Sequence, residues 1–348
     1  MSEITRLSVL DQSPVAEGDT GSRALQNTLD LARLVDGLGY HRYWVAEHHG
    51  GPSLAGASPE VLIGPLAAAT RALRVGSGGV MLPHYSPLKV AESFSILAGL
   101  APGRIDLGIG RAAGTDPMTT QALQRDRDRA PRDDFPSQLA ELLAYLDDSF
   151  PAGHPLARLA AALPGQGDDI SDGPQPWLLG SSPQSAIWAV ELGLPYAFAD
   201  FINPDGADIA ALYRERFVAS DRLAHPRVIT AVWTVVAETD GAAERLATSA
   251  RMMMTMLRRG RLIAVPPVDV AERFLASQPP DTGRRGVVGS IASVRSGLEQ
   301  RAAEYGAEEV MAVTITHDHG ARRHSYELLA DAFGLRRPEW SAAPALAG

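Results

Sequence analysis

Alternation between short apolar runs and amphipathic stretches constrains this chain more than any other feature. Strand-like runs occupy residues 4–10, 73–77, 104–109, 175–179, 194–199, 227–237 and 309–316, and a further one is Tyr43-Trp44-Val45. Each is followed by a segment of helical periodicity. The turns supply the punctuation: Leu25, Leu29, Ala32, Val35 and Leu38 fall at helical spacing, and Gly39 follows as a C-cap. Ser58-Pro59 and Ser86-Pro87 each offer an N-cap and a proline for the first helical turn. About eight strand–helix units with no obvious linker predict a single α/β (β/α)8 TIM barrel spanning residues 1–338, with a doubly wound sheet as runner-up. Residues 258–289 carry two Pro-Pro pairs and Arg284-Arg285-Gly286, so they read as a mobile insertion near strand seven, and residues 339–348 read as a flexible tail.

Charge narrows the partners. With 41 acidic against 32 basic residues the formal charge is -9, which argues against nucleic acid and against an anionic membrane surface. The absence of cysteine removes disulfides and thiolate metal sites and suits a reducing cytoplasm. The first residues lack the basic-then-apolar pattern of a signal peptide, and no stretch is apolar enough for long enough to span a bilayer. A soluble, cytoplasmic protein is expected.

A barrel gathers its chemistry at the carboxyl ends of its strands. There the sequence places Glu47-His48-His49, Gly78-Gly79, Gly110-Arg111, Gly180-Ser181-Ser182 and His317-Asp318-His319. The run from Gly180 to Ser185 lies between a strand and a helix amino terminus, where backbone N–H groups, hydroxyls and the helix dipole suit a phosphate, or where Ser182 simply caps the helix. Arg111 is either a bidentate phosphate clamp or an exposed arginine in a polar loop. Gly108-Ile-Gly110-Arg-Ala-Ala-Gly114 has the wrong spacing for a dinucleotide fingerprint and is followed by an Asp- and Pro-rich stretch instead of a helix. His317 and His319 could share a metal with one of His48 and His49, but no His-Glu-x-x-His motif accompanies them, and the chain is assigned no metal.

The order of motifs resembles that of the bacterial-luciferase-like flavin monooxygenases. Trp44-Val-Ala-Glu47-His48-His49 comes first, then Val75-Gly-Ser-Gly-Gly-Val-Met-Leu-Pro83 with Pro87-Leu-Lys-Val-Ala-Glu92. Gly103-Arg-Ile-Asp-Leu-Gly-Ile-Gly-Arg111 and Trp188-Ala-Val-Glu-Leu-Gly-Leu-Pro195 follow, so the likeness is collinear from about Leu7 to Phe333. Gly110-Arg-Ala-Ala-Gly-Thr-Asp-Pro117 is similar to a sub-group associated with tailoring of polyketides and other secondary metabolites.

The resemblance implies a luciferase-like barrel with its insertion near strand seven, usually a homodimer. It implies reduced FMN (FMNH2) supplied by a separate flavin reductase, and reaction with O2 to a flavin C4a-hydroperoxide. Carried over by motif, Arg111 holds the phosphate together with Gly180, Ser181, Ser182 and Ser185. Glu47 lies near the flavin, and Gly78-Gly79 form a non-prolyl cis peptide beneath its rings. His48 matches the histidine that assists the peroxide chemistry as acid or base, while His49 supports the loop. The chain departs from luciferase in having Gly78 and Gly79 where luciferase has alanines, and Ser181 where it has a glutamate, so light emission is not implied. Leu10, Met81, Leu82, Phe201 and Trp233 are the candidate apolar wall of the substrate pocket. The reading is a two-component FMNH2- and O2-dependent monooxygenase of a small hydrophobic substrate. Its alternatives are an F420-dependent oxidoreductase on the same fold, a non-catalytic flavin-binding protein, and a metal-dependent hydrolase built on His317 and His319.

Overall fold

The computed structural model describes residues 4–111, 116–124, 134–165, 172–279 and 286–336. Its strands are β1 (Arg6–Asp11), β2 (Arg42–Val45), β3 (Arg74–Met81), β4 (Ile105–Gly110), β5 (Gln175–Gly180), β6 (Tyr196–Ala199), β7 (Val228–Val236), β8 (Val287–Gly289) and β9 (Glu309–Val313). Between them run α1 (Gly21–Leu38), α2 (Pro59–Ala69), α3 (Pro87–Leu100), α4 (Pro117–Leu123), α5 (Phe135–Leu146), α6 (Ala157–Ala160), α7 (Pro183–Glu191), α8 (Ala207–Arg216), α9 (Asp240–Arg258), α10 (Val268–Ala276), α11 (Ile291–Tyr305) and α12 (His319–Phe333).

The sheet order is β6-β5-β4-β3-β2-β1-β9-β7-β8, and an additional pairing of β6 with β7 closes an eight-stranded barrel from β1 to β7 and β9. Every pairing of these strands is parallel. Closure excludes the doubly wound sheet. Outward positions such as Val9, Val45, Val75, Leu107 and Val232 are fully buried beneath the helices, which is why the strands read as almost continuous apolar runs. Two expected helix signals hold in detail. Gly39 ends α1 in the left-handed region at φ 89°, and Pro59 and Pro87 occupy first-turn positions.

Three departures from the sequence reading have local causes. The loop expected over residues 110–134 contains α4, whose amino end is held by Asp116 accepting from the N–H groups of Met118 and Thr119. The helix expected over 135–150 stops at Leu146, and Asp148 takes a left-handed φ of 49° just beyond it. The segment 258–289 contains α10 and a ninth strand, β8; two valines between glycines are too short a run to show a period. Residues 280–285 and the tail beyond 336 lie outside the described residues.

β7 serves two structures in turn. Residues Tyr196–Ala199 of β6 pair with Val228–Ala231, and β9 pairs with Ile229–Trp233. The last three residues, Thr234, Val235 and Val236, leave the barrel and pair with β8.

The barrel interior is layered. At its amino end Asp106 accepts from Arg42 Nη1 at 2.7 Å, Arg74 Nη2 at 2.6 Å and Trp44 Nε1 at 2.9 Å. Glu309 accepts from Arg42 Nε at 2.7 Å and Ser8 Oγ at 2.6 Å. The next layer is apolar, with Leu10, Trp44, Trp177, Ile229 and Met311 in one cluster, and the two tryptophans meet edge to face at 5.5 Å.

Candidate active site

The open carboxyl end of the barrel gathers three groups of residues. The first joins the ends of β2 and β3. Glu47 is fully buried, and its two oxygens are divided: Oε1 meets His49 Nε2 at 2.8 Å and Oε2 accepts from the Met81 N–H at 2.9 Å. The Tyr85 hydroxyl also bonds to this carboxylate, and burial together with the carboxylate's charge raises the phenol's pKa. Glu47 therefore ties the two strand ends together. His49 in turn meets the His84 ring edge to face at 5.9 Å, which suits the loop-supporting role expected of it.

His48 stands apart from that brace. Its main-chain N–H donates to Gly56 O at 2.8 Å, and its Nδ1 is buried without a hydrogen-bond partner among the described residues. Burial, and secondarily the neighbouring His49, pushes its pKa down to about 4. It is thus a neutral imidazole at neutral pH, with one ring nitrogen uncommitted.

Gly78 and Gly79 are joined by a cis peptide bond within the irregularity that shifts the β3–β4 register between Ser77 and Val80. A Cβ on Gly78 would collide with Leu10 and come within 3.1 Å of Trp44 Cβ. One on Gly79 would lie 2.8 Å from the Gly108 carbonyl oxygen. Both positions exclude side chains for lack of space. Leu10 itself is buried in the barrel's apolar layer, and Met81 packs over Gly110, its sulfur 3.3 Å from where a Cβ would stand there. Neither residue lies along the cavity described below.

The second group joins β4 to α7. Arg111 follows β4 directly, and its guanidinium carbon lies 5.7 Å from the ring centre of Trp188 in α7. The amino end of α7 is formed by Ser182, which accepts from Ser185 N at 3.4 Å in a reciprocal capping box. The Ser185 hydroxyl is already engaged with Ser182 O at 2.7 Å and Tyr196 OH at 2.8 Å, so capping accounts for much of the serine signal seen in the sequence. A Cβ at Gly180 would strike Ser185, and the Ser181 carbonyl accepts from Asn203 Nδ2 at 3.0 Å. A cation against the helix whose positive end Ser182 caps still suits a phosphate. Residues 112–115 of the motif after Arg111 lie outside the described residues.

The third group is a cavity of about 170 Å³ between α9, β8 and the ends of β6 and β7. Phe201 and Trp233, two of the expected wall residues, meet there edge to face at 5.6 Å. Arg251, Met254 and Arg258 of α9 complete one side, and the sequence reading missed them because they lie on a helix and not at a strand end. Their seven-residue spacing was the available signal, since residues 251 and 258 share a helix face.

His317 and His319 border one cavity with Glu17, Asp318 and Arg322, but each has its own partner. His317 Nε2 lies 3.2 Å from the Glu17 carbonyl, and His319 Nε2 lies 2.8 Å from Asp30. Among the described residues no helix is long and apolar enough to cross a membrane.

Comparison with known proteins agrees with the fold. The family described as luciferase-like monooxygenase matches residues 5–330. A luciferase-like monooxygenase of Escherichia coli K12 is 42% identical over 330 residues, covering 93% of this chain and 96% of the relative. The N-acetyl-S-alkylcysteine monooxygenase of Bacillus subtilis is 38% identical over 334 residues, covering 94% and 98%. The crystal structure of apo-MsnO8 superposes with a TM-score of 0.87 at 42% identity, covering 97% of this chain and 99% of that one. The fold alone is shared with the oxygenating constituent of 3,6-diketocamphane monooxygenase in complex with FMN, at TM-score 0.68 and 17% identity over 96% and 98% of the two chains. It is likewise shared with an F420-dependent secondary alcohol dehydrogenase, at TM-score 0.61 and 14% identity over 95% and 99%.

Proposed function

The chain belongs to the luciferase-like monooxygenase family, and we propose that it is a two-component monooxygenase that uses FMNH2 and O2 to oxygenate a small hydrophobic organic substrate. The observation that carries this reading is the Arg111 guanidinium 5.7 Å from the ring of Trp188 in α7, the helix whose amino end Ser182 caps. Such a site fits a phosphate. Arg111 would hold the phosphate with Gly180, Ser181, Ser182 and the main chain ahead of Ser185. Gly78 and Gly79 would face the rings, and the Glu47 brace would keep their strand in place.

Reduced flavin held there would supply the two electrons that reduce one atom of O2 to water while the other passes to the substrate. The protein's own part is to bind, to keep water out and to govern one proton. His48 suits the last task, because its pKa of about 4 leaves the ring neutral and Nδ1 has no partner to surrender. A separate flavin reductase supplies the FMNH2. The protein works as a cytoplasmic homodimer, and the substrate belongs to secondary metabolism, as tailoring of a polyketide would require.

Anaerobic titration with FMNH2 and, in parallel, with reduced F420 tests the cofactor. Saturable FMNH2 binding followed by 18O transfer from 18O2 into an organic product is the expected result. Tight binding of reduced F420 with none of FMNH2 would replace the reading by hydride transfer. FMNH2 binding with no oxygenated product from any candidate substrate would leave a flavin binder.

A further inference from the structure

Three buried polar residues follow one another at the end of β1, and two of them are engaged. Asp11 accepts from Arg322 Nη2 at 2.6 Å, from the Ser13 N–H at 2.7 Å and from the Tyr43 hydroxyl. The Ser13 hydroxyl meets Thr28 Oγ1 at 2.9 Å. Gln12, between them, is only 7% exposed, and its side chain has no hydrogen-bond partner among the described residues. Its amide is not sealed from solvent as His48 Nδ1 is, so it opens onto space that a ligand can enter.

Alternation along the strand gives the direction of that space. Leu10 belongs to the barrel's inner apolar cluster and Asp11 turns outward to Arg322 of α12. The β1–β2 ladder continues past them, with Ala46 N donating to Asp11 O at 2.9 Å. Gln12 therefore returns to the inner face, one layer above Leu10, whose side chain fills the space in front of Gly78. Carrying the β1–β9 register on by three residues from Val9 and Ala312 sets Gln12 level with Ile315, which lines the cavity together with Trp233. Ala46 and Ile315 offer the amide no side-chain partner, and a buried carboxamide without one is costly to keep.

We propose that Gln12 is a specificity-determining residue that hydrogen-bonds a neutral oxygen, a carbonyl or a hydroxyl, carried on an otherwise apolar organic substrate. The carboxamide has no charge to match an ion; its Nε2–H donates to a carbonyl, and its Oε1 accepts from a hydroxyl. Its place between the Gly78 side of the mouth and the cavity wall sets that oxygen at the border of the ring site, with the apolar body toward Ile315 and Trp233. The inference rests on the monooxygenase reading and narrows its substrate from any small hydrophobic molecule to one bearing such an oxygen.

Anaerobic titration of the full chain with 1-tetralone and with tetralin, the same bicycle without its oxygen, tests the proposal, FMNH2 binding being measured separately on the same samples. The ketone is expected to bind at least about threefold more tightly than the hydrocarbon. Gln12→Met, close in length but apolar, and Gln12→Glu, which cannot donate when ionised, should each remove that preference and leave FMNH2 affinity unchanged. The second variant decides the matter should the first fail to fold. Equal affinity for the two bicycles, no binding of the ketone, or retention of the preference in both variants would overturn the proposal. An equal loss of ketone and hydrocarbon would overturn it too, by reducing Gln12 to packing. A fall in FMNH2 affinity with the ketone preference intact would overturn it by giving the amide to the flavin. Native protein that binds FMNH2 without preferring the ketone refutes only the role of Gln12, whereas native protein that fails to bind FMNH2 refutes the monooxygenase reading itself.

Discussion

The two ends of the barrel bury polar groups in opposite ways. At the amino end every charge has a partner of opposite sign: Asp106 faces Arg42 and Arg74, and Glu309 faces Arg42, with Arg227 at 3.7 Å. At the carboxyl end His48 Nδ1 is buried without a hydrogen-bond partner among the described residues. The contrast separates two uses of buried charge. The floor network matches its charges across four strands, although Glu309 Oε2 and His41 Nε2 are left there without a hydrogen-bond partner, whereas the mouth leaves an imidazole nitrogen that a guest could engage.

Removing Asp106 should have the largest effect on this contrast. Asp106→Ala takes the shared carboxylate from Arg42, Arg74 and the Trp44 N–H and leaves Glu309 alone to answer Arg42, so urea unfolding should show a loss of about 3–5 kcal/mol. A loss under about 1 kcal/mol would mean that Asp106 does not hold the floor together. At the mouth, Arg111→Ala should do the reverse. The urea midpoint should stay in place while FMNH2 affinity falls by about 10–100-fold. A variant that binds FMNH2 normally would take Arg111 out of the site.

Acid probes both ends together. His41, at the floor, has its pKa pushed down to about 3 by burial and by Arg42, and His48 has its own pushed down to about 4. Both histidines are neutral in the folded protein, whereas the unfolded chain takes up protons below about pH 6.5. Their contribution to stability is therefore complete above that pH and is lost as the pH falls toward the folded values. His48→Gln should flatten the decline between about pH 6.5 and 5 by about 1 kcal/mol, read from urea midpoints; an unchanged slope would mean that Nδ1 is not held neutral. The smallest effect belongs to Ser182→Ala, which should cost about 0.5–1 kcal/mol as the loss of a helix cap. If flavin affinity falls further than stability does, the hydroxyl also serves the phosphate.

Much of this was legible because local signals agreed with the global pattern. Gly39, Pro59 and Pro87 mark helix ends by chemistry that does not depend on what packs nearby, and strand-end clusters such as Glu47-His48 point to the mouth as soon as eight strands are counted. The floor was harder to see. Arg42, Arg74 and Glu309 each open a strand and Asp106 stands second in its own, but charges at strand starts look like ordinary surface residues until closure turns them inward. The serines were ambiguous for another reason: a hydroxyl before a helix serves a cap and an anion equally well, and only the bond from Ser185 to Tyr196 shows how much of that capacity is spent. The arginines of α9 escaped notice because their relevance depends on where the helix lies across the mouth.

The handover of β7 from the barrel to β8 has one more consequence. The residues that shape the cavity's outer wall, from Gly286 and Val288 to the α9 face, hang on the last three residues of a strand whose first six belong to the closed barrel. That wall is a detachable cassette on a permanent frame. Exchanging it between relatives should change the lining of the cavity and leave the closed barrel as it was.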